Sequence, residues 1–220
     1  MLIEASGEAL LCLAEHALFW PSRRTLFIAD VHLGKAASFR AQGVALPSGH
    51  SSHDLERISA LLSAHAVTRL VILGDLVHTQ SSYTEALDRN FRSFRSRHGN
   101  TAMVLVRGNH DQHAGDAPQP WGLDVVAAPY ALGPFQCCHE PHVAYVDGFE
   151  LAGHLHPALR VQTAREGVTL PCFWQHAQGL VLPAFGSLTG KFSVRLQPGE
   201  SAIVVAGQQL YRRAYQRMGG

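Results

Sequence analysis

Residues 101–111 read TAMVLVRGNHD: an apolar run that stops abruptly at Gly108, Asn109, His110 and Asp111. A short continuous apolar run bounded by a turn signal predicts a strand buried on both faces. The same grammar occurs twice upstream. Residues 25–29 (TLFIA) run into Asp30-Val31-His32, and residues 69–73 (RLVIL) run into Gly74-Asp75. Between these runs the apolar spacing becomes helical. Leu55, Ile58, Leu62 and His65 share one face across residues 53–66, and Leu87, Phe91 and Phe94 share one across residues 84–97. The alternation predicts βαβ units and a largely parallel sheet. Ligands of such sheets bind beyond the carboxyl ends of the strands, where all three polar clusters fall.

The second half has a different texture. Short runs at 149–152, 159–163, 169–175, 180–184 and 202–205 are separated by Gly, Pro or polar turns. They predict strands of a second sheet packed on the first. The stretch GDAPQP at residues 115–120 is expected to be a loop and not a boundary, because both halves bring polar clusters of one kind. A single domain over residues 1–220 is therefore expected.

Composition narrows the function. Hydrophobic residues make up 46% and charged ones 16%, which excludes an intrinsically disordered chain. A net charge of +1 excludes a strong overall field toward nucleic acid or an acidic membrane. Histidine is the outlier: 14 residues against 17 Asp and Glu, which directs attention to metal ligands and proton transfer. Cys12, Cys137, Cys138 and Cys172 contain no C-x-x-C pair, which argues against a zinc knuckle. Reduced, buried thiols in a cytoplasmic protein are expected. The first 21 residues lack a basic leader and carry Glu4, Glu8 and Glu15, so no signal peptide is expected. No apolar run approaches membrane-spanning length, so no membrane partner is expected.

The polar clusters supply Asp30, His32, Asp75, Asn109, His139, His154 and His156. Two carboxylates, one amide oxygen and four imidazoles exceed what one tetrahedral zinc ion needs. The set suits two divalent ions in five- or six-coordinate sites bridged by a carboxylate. On an extended chain, D-x-H and H-x-H would each put two ligands on one side.

In this order, Asp30-Val31-His32, Gly74-Asp75, Gly108-Asn109-His110-Asp111, His139 and Gly153-His154-Leu155-His156 resemble the calcineurin-like metallophosphoesterases. The resemblance covers about residues 25–190. It implies an α/β fold of two packed mixed β-sheets flanked by helices, a four-layer αββα sandwich with a dinuclear site at the sheet edge. It also implies that Asp30, His32 and His156 hold one metal, that Asn109, His139 and His154 hold the other, and that Asp75 bridges. Three further segments, DVHLGKAASFR (30–40), PCFW (171–174) and LPAFGSLTG (182–190), look like those of the bacterial ligase-associated DNA damage response endonucleases. That likeness implies a manganese-dependent phosphodiesterase acting on DNA in repair, with Fe or Zn as other occupants. It further implies association with an ATP-dependent DNA ligase, a helicase and an exonuclease.

The expected chemistry is in-line attack on phosphorus by a hydroxide bridging two metal ions. His110 follows the Asn109 ligand and is poorly placed to share its metal, so it is the candidate general acid; its alternative role is to neutralise phosphoryl oxygens as an imidazolium. Asp111 is read as a cap of the loop rather than as an orienter of His110. Lys35 and Arg40 open a predicted helix and are candidate substrate contacts, beside the alternative of a solvated helix face. His113 and His142 are read as supporting or surface residues. Arg89, Arg92, Arg95 and Arg97, with the basic-aromatic tail 211–217, are candidate backbone contacts. No sequence-reading element is visible, so DNA is the expected partner without sequence specificity. The competing reading is a metallophosphoesterase of small nucleotide or pyrophosphate substrates.

Overall fold

The computed structural model describes residues 1–141, 148–162 and 166–216; His142 and Arg217 lie outside the described residues. The first sheet begins with an antiparallel meander of β1 (Leu2–Ala5), β2 (Glu8–Leu13) and β3 (Ala17–Trp20), which pairs onto β4 (Thr25–Ile28). From β4 the pairing turns parallel through β5 (Arg69–Leu73), β6 (Ala102–Val106) and β7 (Asp124–Val126). Spatial order equals chain order, and the sheet is mixed rather than largely parallel. The difference comes from the N-terminal meander, whose strands are short. Ser6 and Gly7, at φ 49° and 78°, turn β1 into β2 with the backbone hand that two-residue hairpins use.

The second sheet contains, in chain order, β8 (Tyr130–Leu132), β9 (Phe135–Cys137), β10 (Phe149–Ala152), β11 (Pro157–Gln162), β12 (Gly167–His176), β13 (Gly179–Val181), β14 (Phe192–Ser193), β15 (Ser201–Ala206) and β16 (Gln209–Ala214). Its order among the described residues is β14-β11-β12-β13-β10-β9-β8, with β15 also on β12 and β16 on β15. Parallel and antiparallel pairs mix here too: β9, β10 and β13 run parallel, while β12 is antiparallel to both β11 and β13. The helices are α1 (Lys35–Ala41), α2 (His50–Ala64), α3 (Glu85–Arg97) and α4 (Asn109–Ala114).

The apolar runs of β4, β5 and β6 are continuous because both their faces are covered. Leu26, Ile28, Leu70, Ile72, Met103 and Leu105 face α2 and α3, packing with Leu55, Ile58, Leu62, Phe91 and Phe94. The alternate residues, Phe27, Val71, Leu73, Val104 and Val106, face the second sheet and meet Phe135, Leu151, Phe173 and Leu180. Phe27, Phe135 and Phe173 have no exposed surface, and burying each contributes about 1.5–3 kcal/mol. The far face of the second sheet carries a smaller cluster of Cys172, Val194, Ala202 and Val204.

α3 is stopped and started by its own side chains. Thr84 accepts from Leu87 N at 3.2 Å as N-cap, and Arg95 donates to the C-terminal carbonyls of His98 and Thr101 at 2.7 and 2.8 Å. Arg92 pairs with Asp88 at 2.8 Å and Arg89 with Glu85 at 3.5 Å. Three of the four helix arginines are therefore engaged within the helix and its cap. All four cysteines are free and buried, and burial pushes each thiol up to about 12. No helix among the described residues is long and apolar enough to cross a membrane.

Candidate metal centre

β4, β5 and β6 end level with one another: Ile28 is in register with Ile72, and Ile72 with Leu105. The chain leaves all three at one edge, carrying Asp30, His32, Asp75 and Asn109 with it. The second sheet answers from β9 and β10, whose ends deliver His139 and His154; Gly153 N donates to His139 O at 2.9 Å and ties these two exits together.

The D-x-H and H-x-H pairs do not converge by strand alternation. Asp30, His32, Asp75, His154 and His156 all lie in the left-handed region, at φ 55°, 51°, 54°, 67° and 51°. Each such non-glycine residue costs on the order of 1–3 kcal/mol and persists only where its surroundings over-determine it. They do so here. Loop 30–33 is zipped to loop 74–76 by Asp30 N to Gly74 O, His32 N to Asp75 O and Leu33 N to Leu76 O, at 3.2, 2.9 and 2.8 Å. The buried carboxylate of Asp111 accepts from the N–H groups of Asp75, Leu76, Val77 and Gly108, at 2.8, 3.0, 3.4 and 3.0 Å. Asp111 thus binds the loop after β5 to the start of α4. His154 N donates to Asp30 Oδ2 at 2.9 Å and His110 N to Asp75 Oδ1 at 2.9 Å. Close approach also demands glycine: a Cβ on Gly74 would run into the His139 ring, and one on Gly108 into the Asp75 carboxylate.

The seven expected ligands come together in two groups. Asp30, His32 and His156 offer ligand atoms within 4.8 Å of one another, and so do Asp75, His139 and His154. Asp75 faces both: its Oδ2 lies 3.8 Å from His32 Nε2, and its Oδ1 lies 3.4 Å from His139 Nε2. Asn109 joins the second group through Oδ1, 2.9 Å from His139 Nε2. His154 Nδ1 is 3.1 Å from the same nitrogen. Ligands bonded at about 2.1 Å to an octahedral ion sit about 3 Å apart, so these spacings fit a shared cation. In the first group Asp30 Oδ1 and His32 Nδ1 are buried without a hydrogen-bond partner among the described residues. The unpaired Asp30 Oδ1, with His156 Nε2 at 3.5 Å and no hydrogen bond of its own, fits a bound cation.

Electrostatics separates the histidines. Burial pushes His32 down to about 2, so it stays neutral and able to ligate. Burial also opposes charge on His139, but the carboxylates of Asp75 and Asp30 outweigh it and hold the ring up to about 9. His139 Nδ1 donates to Leu73 O at 3.0 Å, which reserves Nε2 for a metal. Asp75 is held below the usual carboxylate range; burial works against this, and His139, His32 and the His110 N–H overcome it.

His110 Nδ1 meets the His78 carbonyl at 2.7 Å, and a carbonyl only accepts, so this nitrogen carries a proton. The ring stacks on His78 with centroids 4.9 Å apart and stands edge-on to His32, also at 4.9 Å. His78 is a site neighbour that motif reading missed. It stands three residues after Asp75, and burial, then Lys35 and His110, pushes it down to about 4. The signal available was that G-D-x-x-H spacing alone. Lys35 lies half-buried over the Phe39 ring; burial pushes its ammonium down from the ordinary lysine range, against the pull of Asp75 and Asp30. Arg40 instead braces a loop, donating to Leu46 O and Pro47 O at 3.4 and 3.0 Å. His113 supports Asn109, donating from Nδ1 to its carbonyl at 2.6 Å.

Two carboxylates, four imidazoles and an amide at one sheet edge are a phosphoester-cleaving arrangement, and the comparisons agree. The model of the calcineurin-like phosphoesterases matches residues 23–177. The chain belongs to the calcineurin-like phosphoesterase family. As a member it is a metal-dependent hydrolase of phosphate esters. Among solved structures, this phosphoesterase is similar to the Pseudomonas putida nuclease MPE, at 36% identity and a TM-score of 0.84 over 97% of this chain and 99% of that one. The E. coli phosphoesterase YfcE aligns at 15% identity and a TM-score of 0.44, over 86% of this chain and 98% of that one. The search of curated proteins returned no match.

Proposed function

We propose that this phosphoesterase is a manganese-dependent DNA endonuclease of one domain, acting in repair beside a ligase, a helicase and an exonuclease. The observation that carries the reading is the pair of three-residue ligand groups facing each other across Asp75. Similarity to a nuclease across nearly the whole of both chains supports the choice of a polynucleotide. Asp30, His32 and His156 would hold one ion, and Asn109, His139 and His154 the other, with Asp75 shared. Two bound divalent ions would polarise the phosphoryl oxygens and supply a deprotonated water at neutral pH.

The remaining steps belong to side chains. The His78 carbonyl fixes the His110 ring through Nδ1, which leaves Nε2 to carry the transferable proton. As imidazolium, His110 protonates the departing alkoxide, a contribution of about 10²–10⁴-fold. Lys35 places a half-buried ammonium beside the two carboxylates, where it offsets charge on the phosphoryl oxygens. Asn109, His110, His154 and His156 are each partly exposed, so the centre opens along a face rather than into a closed pocket. An open face suits a diester with substituents on both sides.

The test is the ratio of kcat/KM for bis-nitrophenyl phosphate to that for nitrophenyl phosphate in Mn²⁺, with nicking of supercoiled plasmid across a salt series. The reading expects a ratio above one and nicking that weakens as salt rises. A ratio below one, without nicking at low salt, would replace it with small nucleotide or pyrophosphate substrates.

A further inference from the structure

Segment 182–190 lies beyond the family match and contributes to neither ligand group. It runs as a strap against the first ligand loop. Phe185 N donates to Ala29 O at 2.8 Å and Gly186 N to Asp30 O at 3.1 Å. A Cβ on Gly186 would collide with the Val31 carbonyl, so only glycine lets the strap lie this close. Arg57 of α2 clamps it, stacking 4.2 Å over the Phe185 ring and donating to Phe185 O at 2.8 Å. The guanidinium also pairs with Asp54 at 3.0 Å, and Asp54 Oδ2 accepts from Ser187 N and Oγ, both at 3.3 Å. The Arg57 charge is therefore matched within the clamp.

Past the clamp the strap continues through Thr189 and Gly190 to Lys191, enclosing a cavity of about 160 Å³ against His156 and Pro157. At about 30 Å³ per water, that space holds several waters, or one phosphate group with part of its hydration. No carboxylate lines it. Lys191 is exposed and donates one hydrogen to Thr169 O at 3.2 Å, which leaves two of its three N–H donors. The lining therefore offers one cation with spare donors and no carboxylate to match it, and His156 of the first ligand group is its wall.

We propose that this cavity is a subsite for the phosphate that flanks the scissile one in a polynucleotide, with Lys191 as its charged contact. A phosphodiester only accepts hydrogen bonds, and the Lys191 ammonium has two left to give. The inference rests on the phosphodiesterase reading above and deepens it: the enzyme should prefer a substrate with a second phosphate over a minimal diester.

Chromogenic esters test this without depending on DNA cleavage. The substrates are nitrophenyl thymidine 5′-phosphate with and without a 3′-phosphate, and nitrophenyl thymidine 3′-phosphate with and without a 5′-phosphate, given to the metal-loaded enzyme. In one pair the added phosphate should raise kcat/KM about tenfold, the size of one charge-assisted hydrogen bond, mainly through KM. Lys191→Glu should bring that ratio to one or below, and Lys191→Arg should keep it well above one. Ratios near one in both pairs for the wild-type enzyme, or a ratio that Lys191→Glu leaves intact, would overturn the subsite. A ratio that behaves as expected in an enzyme unable to nick plasmid would uphold the subsite and overturn the endonuclease reading.

Discussion

In the group of Asp30, His32 and His156, two buried atoms, Asp30 Oδ1 and His32 Nδ1, make no hydrogen bond among the described residues, although His156 Nε2 stands 3.5 Å from Asp30 Oδ1. In the group of Asp75, His139 and His154 the contacts are already made: His139 bonds Leu73 O through one nitrogen and lies against Asn109 and His154 with the other. The same family of ligands is thus kept ready in two ways. The first group leaves a buried carboxylate oxygen, Asp30 Oδ1, without a hydrogen bond. The second is held together by a proton on His139, which a cation must displace. Asp75 faces both groups, and His154 N ties the second to the first through Asp30 Oδ2.

The largest effect should come from the residue that serves both groups. Asp75→Asn should lower turnover on any diester by more than the loss of the general acid does, and elemental analysis should find fewer than two ions per chain. Metal content that stays at two with normal rates would break the symmetry argued for Asp75.

Next comes His110→Ala, which touches neither group as a ligand. It should keep its metal yet lose about 10²–10⁴ in rate on DNA. The loss should shrink for a nitrophenolate leaving group, which needs no proton. An equal loss with both leaving groups would make His110 an electrostatic partner of the phosphoryl oxygens instead.

Gly74→Ala should strike the second group first, through the His139 ring. The residue sits at φ 79°, and the new methyl would meet the His139 ring. A destabilisation of about 1–3 kcal/mol should lower Tm by several degrees, roughly 2–4 °C per kcal/mol for a chain of this size. The metal-free protein should show the loss as well, because the clash involves the ring itself. A Tm unchanged from wild type would mean that the ring can move aside.

The smallest effect is a slope. His139 holds its proton up to about 9, so below that pH its metal must expel one proton, and affinity for that ion should rise by up to about tenfold per pH unit. His32, pushed down to about 2, adds no such slope to the first group between pH 5 and 8. Calorimetric metal titration in buffers of different ionisation enthalpy reads the released proton. Equal pH dependence of both ions would erase the distinction between the groups.

How much of this was written in the sequence divides along the same lines. The strands β4, β5 and β6 were legible because burial on two faces produces unbroken apolar runs. β1 to β3 were not, since their run of residues is interrupted by Glu4, Glu8 and Glu15 and ends in no polar cluster like those after β4, β5 and β6. All the expected ligands were legible as residue types in motifs. Their backbone was not: the left-handed conformations of Asp30, His32, Asp75, His154 and His156 are imposed by loop-to-loop hydrogen bonds between distant segments. Asp111 was readable as a cap, but not as a clamp on the loop after β5. Arg40 and the arginines of α3 looked available because sequence does not show which carbonyls and carboxylates will face them. His78 escaped because its one local mark, the G-D-x-x-H spacing, is weak; only the folded chain sets it against His110.

The central claim is that two ions sit on opposite sides of Asp75 and act together. Metal-stripped protein should be titrated with Mn²⁺ while metal content and hydrolysis of bis-nitrophenyl phosphate are followed on the same samples. Two ions per chain are expected, with activity low after the first equivalent and rising with the second. Full activity at one ion per chain, or full turnover in excess chelator, would contradict it.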